Sequence, residues 1–502
     1  MEKLLTLSLL GGEGQSYSVP ELFSMALARI KFLEKSEEDL IHQFSLKSLH
    51  EIGVMVRSPT VLKMLGKAGA TIDETKHVAK ISESMVADAV KKAPKEFKLC
   101  SRDGKHDLQL PSDKYPYIST SGLAVNVWDM DKGKNRPSTK KDIADVAKLG
   151  DALDQLDFLW TTFTATEVAP LSHGLHELWT AFQNTSKHVQ GVSIGSAEEV
   201  KSQIKLASLI AGGEDNLRKR PIFSVICCPI APLSFEKGAV EGQVELNKAG
   251  IPVITMSMSL GGMSAPVTLG GMLLNVNTEN LASLVISQTA NPGCPHIYSS
   301  ESTPVNMMTG NISYECVEAP LISAGTSQMA KRYGLPCLTG GWGAGSDDAQ
   351  PGMLSAFSEL SSLTLGVMGG TDLSAGAGSY DVAKGVSLEQ VVIDCYLWEN
   401  FRAFMRKFTI NEESFALDVV RQVGHGNSFL TNPHTGKNFK KEMFFRDKKK
   451  LEWEACLSNK SVPEAKAVVL RMLKEHSVIQ VDAGIVKKGD EIIKDFEKTH
   501  LS

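Results

Sequence analysis

The chain has 502 residues, of which 42% are hydrophobic and 22% are charged, and its formal net charge is −5. This composition is typical of a soluble globular protein, and the slightly acidic balance does not point to nucleic acid or an anionic membrane as a partner. The longest apolar stretches are interrupted before about 18 residues, so no transmembrane helix is predicted.

The eight cysteines and the N-terminus indicate a reduced, cytoplasmic protein. The cysteines have no CxxC spacing and no regular pattern, so neither a disulfide framework nor a zinc site is expected. Met1–Gln15 lacks the basic start and the cleavage site of a signal peptide. We therefore expect a cytoplasmic protein without a bound metal.

Three regions follow one another along the chain. Residues 1–114 are predicted as an N-terminal helical segment, because apolar residues such as Leu22, Ala26 and Leu33 recur at helical spacing. Residues 115–386 alternate between short β-rich runs and helical stretches. Residues 387–502 are predicted as a C-terminal helical extension, clearest in Trp398–Phe408, Val462–Leu473 and Ala483–Phe496.

The middle region predicts an α/β fold of the TIM (β/α)8 barrel type. Eight strand-then-helix units fit into about 280 residues, and most of the later strands are apolar throughout, as in a sheet buried on both faces. A doubly wound sheet is the alternative. The predicted strands are Tyr117–Trp128, Leu156–Phe163, Val189–Ile194, Ile222–Cys228, Ile251–Met258, Pro295–Ser299, Leu335–Leu338 and Leu373–Gly376.

The loop after the seventh predicted strand is the most informative segment. Thr339–Gly352 has five glycines around Trp342, followed by Asp347, Asp348 and Gln350, and it has no Lys or Arg. Glycine allows positive φ and close approach of the backbone to a ligand. The loop also lacks the GxxxxGK[ST] pattern of a phosphate-binding loop. This mixture favours a small cation as the ligand.

The barrel topology places further candidates at the same end, where the active site of such a fold lies. Aromatic faces attract cations, and a nearby carboxylate adds to this attraction. Each aromatic side chain could instead be a core residue, and Glu301 and Asp348 could simply cap helices. The candidates are Trp160, Phe163, Tyr298, Glu301, Trp342 and Tyr380.

Nucleophilic catalysis by the protein is not supported. There is no GxSxG elbow, and Cys227 and Cys228 lie within a strand without an adjacent base. His173 and His176 are three residues apart after the second strand, where they could line a site or occupy an ordinary helix face.

Several segments resemble the trimethylamine methyltransferase superfamily. These are Arg136–Asp142, the Asp348-Ala-Gln350 sequence with its glycine-rich approach, and Gly424–Leu430 followed by Pro433-His-Thr435. The resemblance runs from about Leu40 to Leu501. It implies a TIM barrel that moves a methyl group from a methylated amine to the Co(I) of a corrinoid protein. The sequence contains only the twenty standard residues, so it resembles the branch without pyrrolysine, to which glycine betaine methyltransferases belong.

The resemblance assigns provisional roles to the candidates. Trp342 and Tyr298, with Trp160, Phe163 or Tyr380, would surround a quaternary ammonium. Backbone N–H groups of Gly343–Gly345, or His173, would bind the substrate carboxylate. Asp347 or Asp348 would fix the loop, with Gln350 supporting it, and catalysis would consist of positioning by residues such as Glu301, Asp348 and Gln350.

The expected cofactor is a corrinoid carried by a separate protein, because this chain lacks a DxHxxG-type cobalt-ligand motif; the cofactor could also be free cob(I)alamin. The family resemblance also suggests a homo-oligomer. Glycine betaine is the first choice of substrate, ahead of proline betaine, carnitine and γ-butyrobetaine. Two other classes stay open at this stage: a non-catalytic binder of quaternary amines, and a TIM-barrel lyase or hydrolase with Glu301 or Asp348 as general base.

Overall fold

The computed structural model describes residues 30–113, 115–191, 194–340, 347, 349–405, 407–442 and 461–501. Its N-terminal part combines helices with short strands. The sequence predicted the helices and missed the strands, because three residues are too few to show an alternating pattern. The elements are α1 (Lys35–Glu51), β1 (Val54–Val56), α2 (Pro59–Lys67), β2 (Thr71–Asp73), β3 (Val78–Lys80), α3 (Glu83–Lys92), β4 (Phe97–Leu99) and β5 (Leu108–Leu110).

The middle part alternates strands and helices. In chain order its elements are β6 (Tyr117–Thr120), β7 (Asn126–Asp129), β8 (Lys134–Pro137), α4 (Lys140–Ala152), β9 (Phe158–Trp160), α5 (His173–Asn184), β10 (His188–Gly191), α6 (Ala197–Ala211), α7 (Glu214–Lys219), β11 (Phe223–Cys227), β12 (Ser234–Phe235), α8 (Lys237–Ala249), β13 (Val253–Ser257), β14 (Leu260–Gly261), α9 (Leu269–Ala290), β15 (His296–Ser300), β16 (Thr303–Pro304), α10 (Glu318–Arg332), β17 (Cys337–Leu338), α11 (Met353–Gly369), β18 (Leu373–Ala377), β19 (Ser379–Tyr380) and β20 (Gly385–Val386).

Eight of these strands form a closed parallel barrel in the order β6-β9-β10-β11-β13-β15-β17-β18, and β18 pairs with β6 to close it. Every barrel strand overlaps one of the eight predicted strands. The predicted TIM-like barrel is therefore confirmed, and the doubly wound sheet is wrong. The barrel holds the ends of all eight strands around one axis, so residues that follow different strands meet at one end.

Side chains alternate between the inside of the barrel and its outer layer. The interior cluster contains Phe158, Ile226, Ile254, Ile297 and Leu338, together with Leu99, Leu108 and Leu110 of the β4–β5 hairpin. The Cys100 N–H donates to the carbonyl oxygen of Pro221, which precedes β11, at 3.0 Å. The hairpin therefore closes the N-terminal end of the barrel, and ligand access is left to the C-terminal end.

The segment Arg136–Asp142, which contributes to the family resemblance, connects β8 to α4. The Arg136 guanidinium donates to both carboxylate oxygens of Asp142, at 2.8 and 2.6 Å. Asp142 also accepts the Thr139 N–H at 2.9 Å and so completes a capping box at the start of α4. This part of the motif is structural.

The C-terminal part is helical where it is described. It consists of α12 (Leu388–Phe404), α13 (Glu412–Phe415), α14 (Leu417–Val423), α15 (Pro433–Glu442), α16 (Ser461–Glu475) and α17 (Ala483–His500). α16 packs on α12 and α17 packs on α6, so the end of the chain covers the outer helices of the barrel. Across the parts of the chain with assigned structure, no helix is both long and apolar enough to cross a membrane.

Candidate functional site

The loops that follow β13 and β15 are joined above the C-terminal end of the barrel. β14 pairs with β16, and the Ser259 N–H donates to the Ser302 hydroxyl at 2.8 Å. The Glu301 N–H donates to the Ser257 carbonyl oxygen at 3.0 Å. These contacts fix the backbone of Glu301 directly after strand β15, at the mouth of the barrel.

The Glu301 side chain is a partly buried carboxylate without a hydrogen-bond partner among the described residues. Burial raises the pKa of Glu301 to about 7. Its charge acts on two neighbours, the Cys228 thiol at the end of β11 and the Tyr314 hydroxyl. A cationic ligand would stabilise a carboxylate in this environment. Burial weakens the hydration of its negative charge, and no cation among the described residues compensates for that loss.

Tyr314 reaches this region because Asp347 holds its loop. Asp347 accepts the Ser313 hydroxyl at 2.7 Å and the Tyr314 N–H at 3.2 Å, while the Asp347 N–H donates to Glu315 Oε1 at 2.8 Å. Tyr314 is 9% exposed, and burial, followed by the charge of Glu301, raises the pKa of its hydroxyl. Asp347 thus fixes the loop after β15, and Tyr314 is a site residue that sequence reasoning missed.

Trp160 lies opposite Glu301, because β9 and β15 are four positions apart in the eight-stranded barrel. Its ring packs against the interior cluster, and its Nε1 is buried without a hydrogen-bond partner among the residues described. The ring also lies flat against Gly122, where a Cβ atom would be 2.1 Å from Trp160 Cε2. Glycine is therefore required at position 122 for the indole to occupy this place.

Gln190 is the register partner of Trp160 on β10 and was also missed. It is fully buried, and neither its Oε1 nor its Nε2 has a hydrogen-bond partner in the ranges that the structure describes. The adjacent residue Val189 packs in the outer layer, so alternation directs Gln190 into the barrel. A polar amide at an inward position of a buried barrel strand was the signal that could have identified it.

Three of the residues predicted for the aromatic wall have their described contacts outside the barrel interior. Tyr298 faces the outer helices and donates to Asn277 Oδ1 of α9 at 2.9 Å. Phe163 is buried among outer-layer residues packed around α4 and α12. Tyr380 belongs to the small β19-β20-β7-β8 sheet, where its ring packs edge-on against Trp128 and its hydroxyl donates to Asn135. Tyr298 and Phe163 stabilise packing layers outside the barrel interior, and Tyr380 stabilises the small sheet.

Two polar predictions also differ from the structure. His173 is the first residue of α5, and its Nε2 donates to the Val168 carbonyl oxygen at 3.0 Å, so its ring has a local structural contact. Gln350 is exposed, with no described hydrogen bond to support the loop. The predictions for Trp342, Gly343, Gly345 and Asp348 lie outside the described residues.

The thiols near the mouth are held in the neutral form. Burial, followed by the charges of Glu279 and Glu301, raises the pKa of Cys228 to about 12. Burial also raises the pKa of Cys227 far above its ordinary value. Since the thiolate is the nucleophile, neither group is activated for covalent catalysis. What the arrangement offers is a carboxylate, aromatic side chains and N–H donors without a described partner, all on strands of one barrel or on the loops that follow them.

Comparison with known proteins identifies the family of this chain. The family profile described as "Trimethylamine methyltransferase (MTTB)" matches residues 13–499. The chain belongs to the trimethylamine methyltransferase family. It is accordingly a methyltransferase, and its family is one of corrinoid-dependent methyltransferases.

Individual relatives span most of the chain. Trimethylamine methyltransferase MttB of Methanosarcina barkeri (strain Fusaro) is 30% identical over 465 residues, which cover 91% of this chain and 93% of the relative. Glycine betaine methyltransferase of Desulfitobacterium hafniense (strain Y51) is 28% identical and covers 83% of this chain and 86% of the relative. The solved monomethylamine methyltransferase (MtmB) of Methanosarcina barkeri is 11% identical with a TM-score of 0.52, over 89% of each chain. That structure shares the fold.

Proposed function

We propose that this protein transfers a methyl group from a quaternary amine to the Co(I) of a corrinoid protein, with glycine betaine as the substrate and dimethylglycine as the product. The N–CH3 bond breaks and its electron pair stays on nitrogen, giving a neutral tertiary amine. The electron pair of Co(I) forms the new cobalt–carbon bond, so the product is methyl-Co(III). Atoms and electrons balance without an added oxidant or reductant.

The observation that carries this proposal is the Glu301 carboxylate at the barrel mouth. It has no described partner, and burial alone raises its pKa. A quaternary ammonium supplies the missing positive charge and has no N–H group that needs a partner. The faces of Trp160 and Tyr314 can then replace water around the methyl groups, at about 0.5–2 kcal/mol per aromatic contact.

The reaction suits a site without an activated nucleophile. A quaternary ammonium already carries the full positive charge that makes nitrogen a leaving group, so the reaction needs no general acid. The site has to hold one methyl group towards the incoming cobalt and exclude water, and these effects act through orientation and desolvation. The neutral thiols of Cys227 and Cys228 agree with a reaction in which the protein orients the substrate and supplies no nucleophile of its own.

Two observations favour a quaternary amine over trimethylamine. The sequence contains only the twenty standard residues, whereas the archaeal trimethylamine enzymes carry pyrrolysine in the barrel. In addition, a relative named glycine betaine methyltransferase aligns with 83% of this chain. Proline betaine, carnitine and γ-butyrobetaine are the alternatives with the same reacting group. We propose a separate corrinoid protein as the methyl acceptor, and a homo-oligomeric assembly.

The test is a cobalamin methylation assay. The protein is incubated with chemically reduced cob(I)alamin and one of glycine betaine, carnitine, proline betaine, choline or trimethylamine, and methylcobalamin is followed in the visible spectrum. We expect methylcobalamin and an equal amount of dimethylglycine with glycine betaine. Methylcobalamin formation from trimethylamine alone would overturn the substrate assignment, and binding of betaine without methyl transfer would overturn the proposed reaction.

A further inference from the structure

Three buried polar atoms without partners lie next to one another inside the barrel. Gln190 Oε1, Gln190 Nε2 and Trp160 Nε1 have no hydrogen-bond partner within the described part of the chain. The two residues are paired in register on the adjacent strands β10 and β9. Buried polar groups in folded proteins nearly always have a partner, so an adjacent group of unpartnered ones indicates a place for a ligand.

The strand pattern directs both side chains towards the barrel axis. Phe158, two residues before Trp160, packs in the interior cluster to which Trp160 also belongs. His188, two residues before Gln190, contacts the Cys100 carbonyl oxygen of the hairpin segment that closes the N-terminal end, at 2.9 Å. Gln190 therefore lies deeper in the barrel than the mouth, between the closed end and the loops that follow the strands.

Glu301 completes the geometry from the opposite wall. It follows β15, four strands away from β9 in a barrel of eight, and it lies beyond the C-terminal end of its strand. Gln190 lies within its own strand. The acidic group is thus at the mouth, and the unpartnered N–H donors are on the other side and further inside.

This separation matches the two charges of a betaine. The ammonium would lie beside Glu301 and the carboxylate deeper in the barrel, which leaves a methyl group facing the mouth. An attacking cobalt can approach only from that side, because the hairpin closes the other end. The reverse orientation would bring the substrate carboxylate close to Glu301, and the repulsion between like charges excludes it.

We propose that Gln190 Nε2 and Trp160 Nε1 form the subsite that binds the substrate carboxylate, and that this subsite selects zwitterionic betaines over simple amines. The inference rests on the proposed function, because it assumes that the substrate is a quaternary amine. A carboxylate accepts several hydrogen bonds, and those to a charged acceptor are stronger than neutral ones.

The test compares two ligands that differ in the carboxylate. Binding of glycine betaine and of tetramethylammonium is measured by isothermal titration calorimetry for the wild type, Gln190→Met and Trp160→Phe. Gln190→Met removes the amide and keeps a side chain of similar length, while Trp160→Phe removes the N–H donor and keeps a smaller aromatic face. We expect about tenfold weaker binding of glycine betaine or more in both variants. Binding of tetramethylammonium should change within about twofold in Gln190→Met, and in Trp160→Phe it should weaken clearly less than binding of glycine betaine, because the aromatic face that contacts the ammonium is only reduced.

Asn247→Leu is the matched control. Asn247 on α8 is also fully buried with an unpartnered amide, but it lies outside the barrel interior, so this variant should bind both ligands like the wild type. If Gln190→Met does not fold, Trp160→Phe still decides the question. The subsite is refuted if the wild type binds the two ligands equally, or if the folded variants weaken both ligands equally.

The cobalamin assay separates this inference from the proposed function. If glycine betaine binding depends on Gln190 but no methylcobalamin forms, the subsite stands and the reaction is wrong. If methylcobalamin forms from glycine betaine and the Gln190→Met variant has the wild-type KM for glycine betaine, the reaction stands and the subsite is wrong.

Discussion

Glu301→Gln should stabilise the protein and weaken substrate binding. Burial raises the pKa of Glu301 from 4.5 to about 7, so the folded state holds a proton that the unfolded state releases between these values. The carboxylate therefore costs stability as the pH rises through this window, and the cost is complete above about pH 7. At about 1.4 kcal/mol for each pKa unit, the cost reaches roughly 3 kcal/mol. Glutamine cannot ionise and avoids it.

The measurement is the unfolding midpoint of both proteins between pH 4.5 and pH 8, without ligand. The variant should unfold at a higher temperature or urea concentration at pH 8, and the difference should shrink towards pH 4.5. Glu74→Gln, which changes an exposed carboxylate in a turn, serves as the control and should show no such trend. A Glu301→Gln variant that is less stable at pH 8, or a difference that does not depend on pH, would refute the account of Glu301 as an uncompensated charge.

Three further outcomes follow from the site. Glycine betaine should bind about tenfold more weakly at pH 6 than at pH 8, because the pKa of Glu301 is about 7 and only its ionised form attracts the ammonium. Calorimetric titrations at the two pH values measure this difference, and Glu301→Gln should not show it. Gly122→Ala places a Cβ 2.1 Å from Trp160 Cε2, so the indole must move and kcat/KM with betaine should fall at least about tenfold, while Gly270→Ala, in open space, should not change it. Tyr298→Phe removes a buried hydrogen bond and should lower the free energy of unfolding by about 1 kcal/mol without changing betaine affinity.

The sequence alone was sufficient to predict the barrel, but it did not give the correct ends of every strand. Each of the eight barrel strands overlaps a short β-rich run that can be recognised in the sequence alone. Tyr117–Trp128, predicted as one strand, is two: β6 in the barrel and β7 in the small sheet at the mouth. The segment between β6 and β7 contains Gly122, which lies against Trp160. Because Trp160 is far along the chain, the sequence around Gly122 does not reveal this contact.

The errors at the site have a simple geometric cause. Trp160 and Phe163 are three residues apart, as are Tyr298 and Glu301. Phe163 and Glu301 lie just beyond the ends of β9 and β15, and extending the alternation of side chains along each strand puts the two residues of a pair on opposite faces. The sequence therefore contained the reason why only one of each pair could face the interior. Tyr314 is different, because its place depends on a loop held by hydrogen bonds that no local pattern reveals.

The proposed site explains why a barrel with few charged groups at its mouth can select its substrate. An amine without a carboxylate satisfies Glu301 and leaves Gln190 and Trp160 Nε1 without partners, while a carboxylic acid without an ammonium leaves Glu301 uncompensated. Leaving a buried polar or charged group unpaired costs more binding free energy than pairing it gains. Each incomplete ligand is therefore rejected by the group that it leaves unpaired. A betaine pairs with Glu301 and with the two N–H donors, Gln190 Nε2 and Trp160 Nε1, at once, and it does so only with its ammonium at the end of the barrel that the corrinoid can reach.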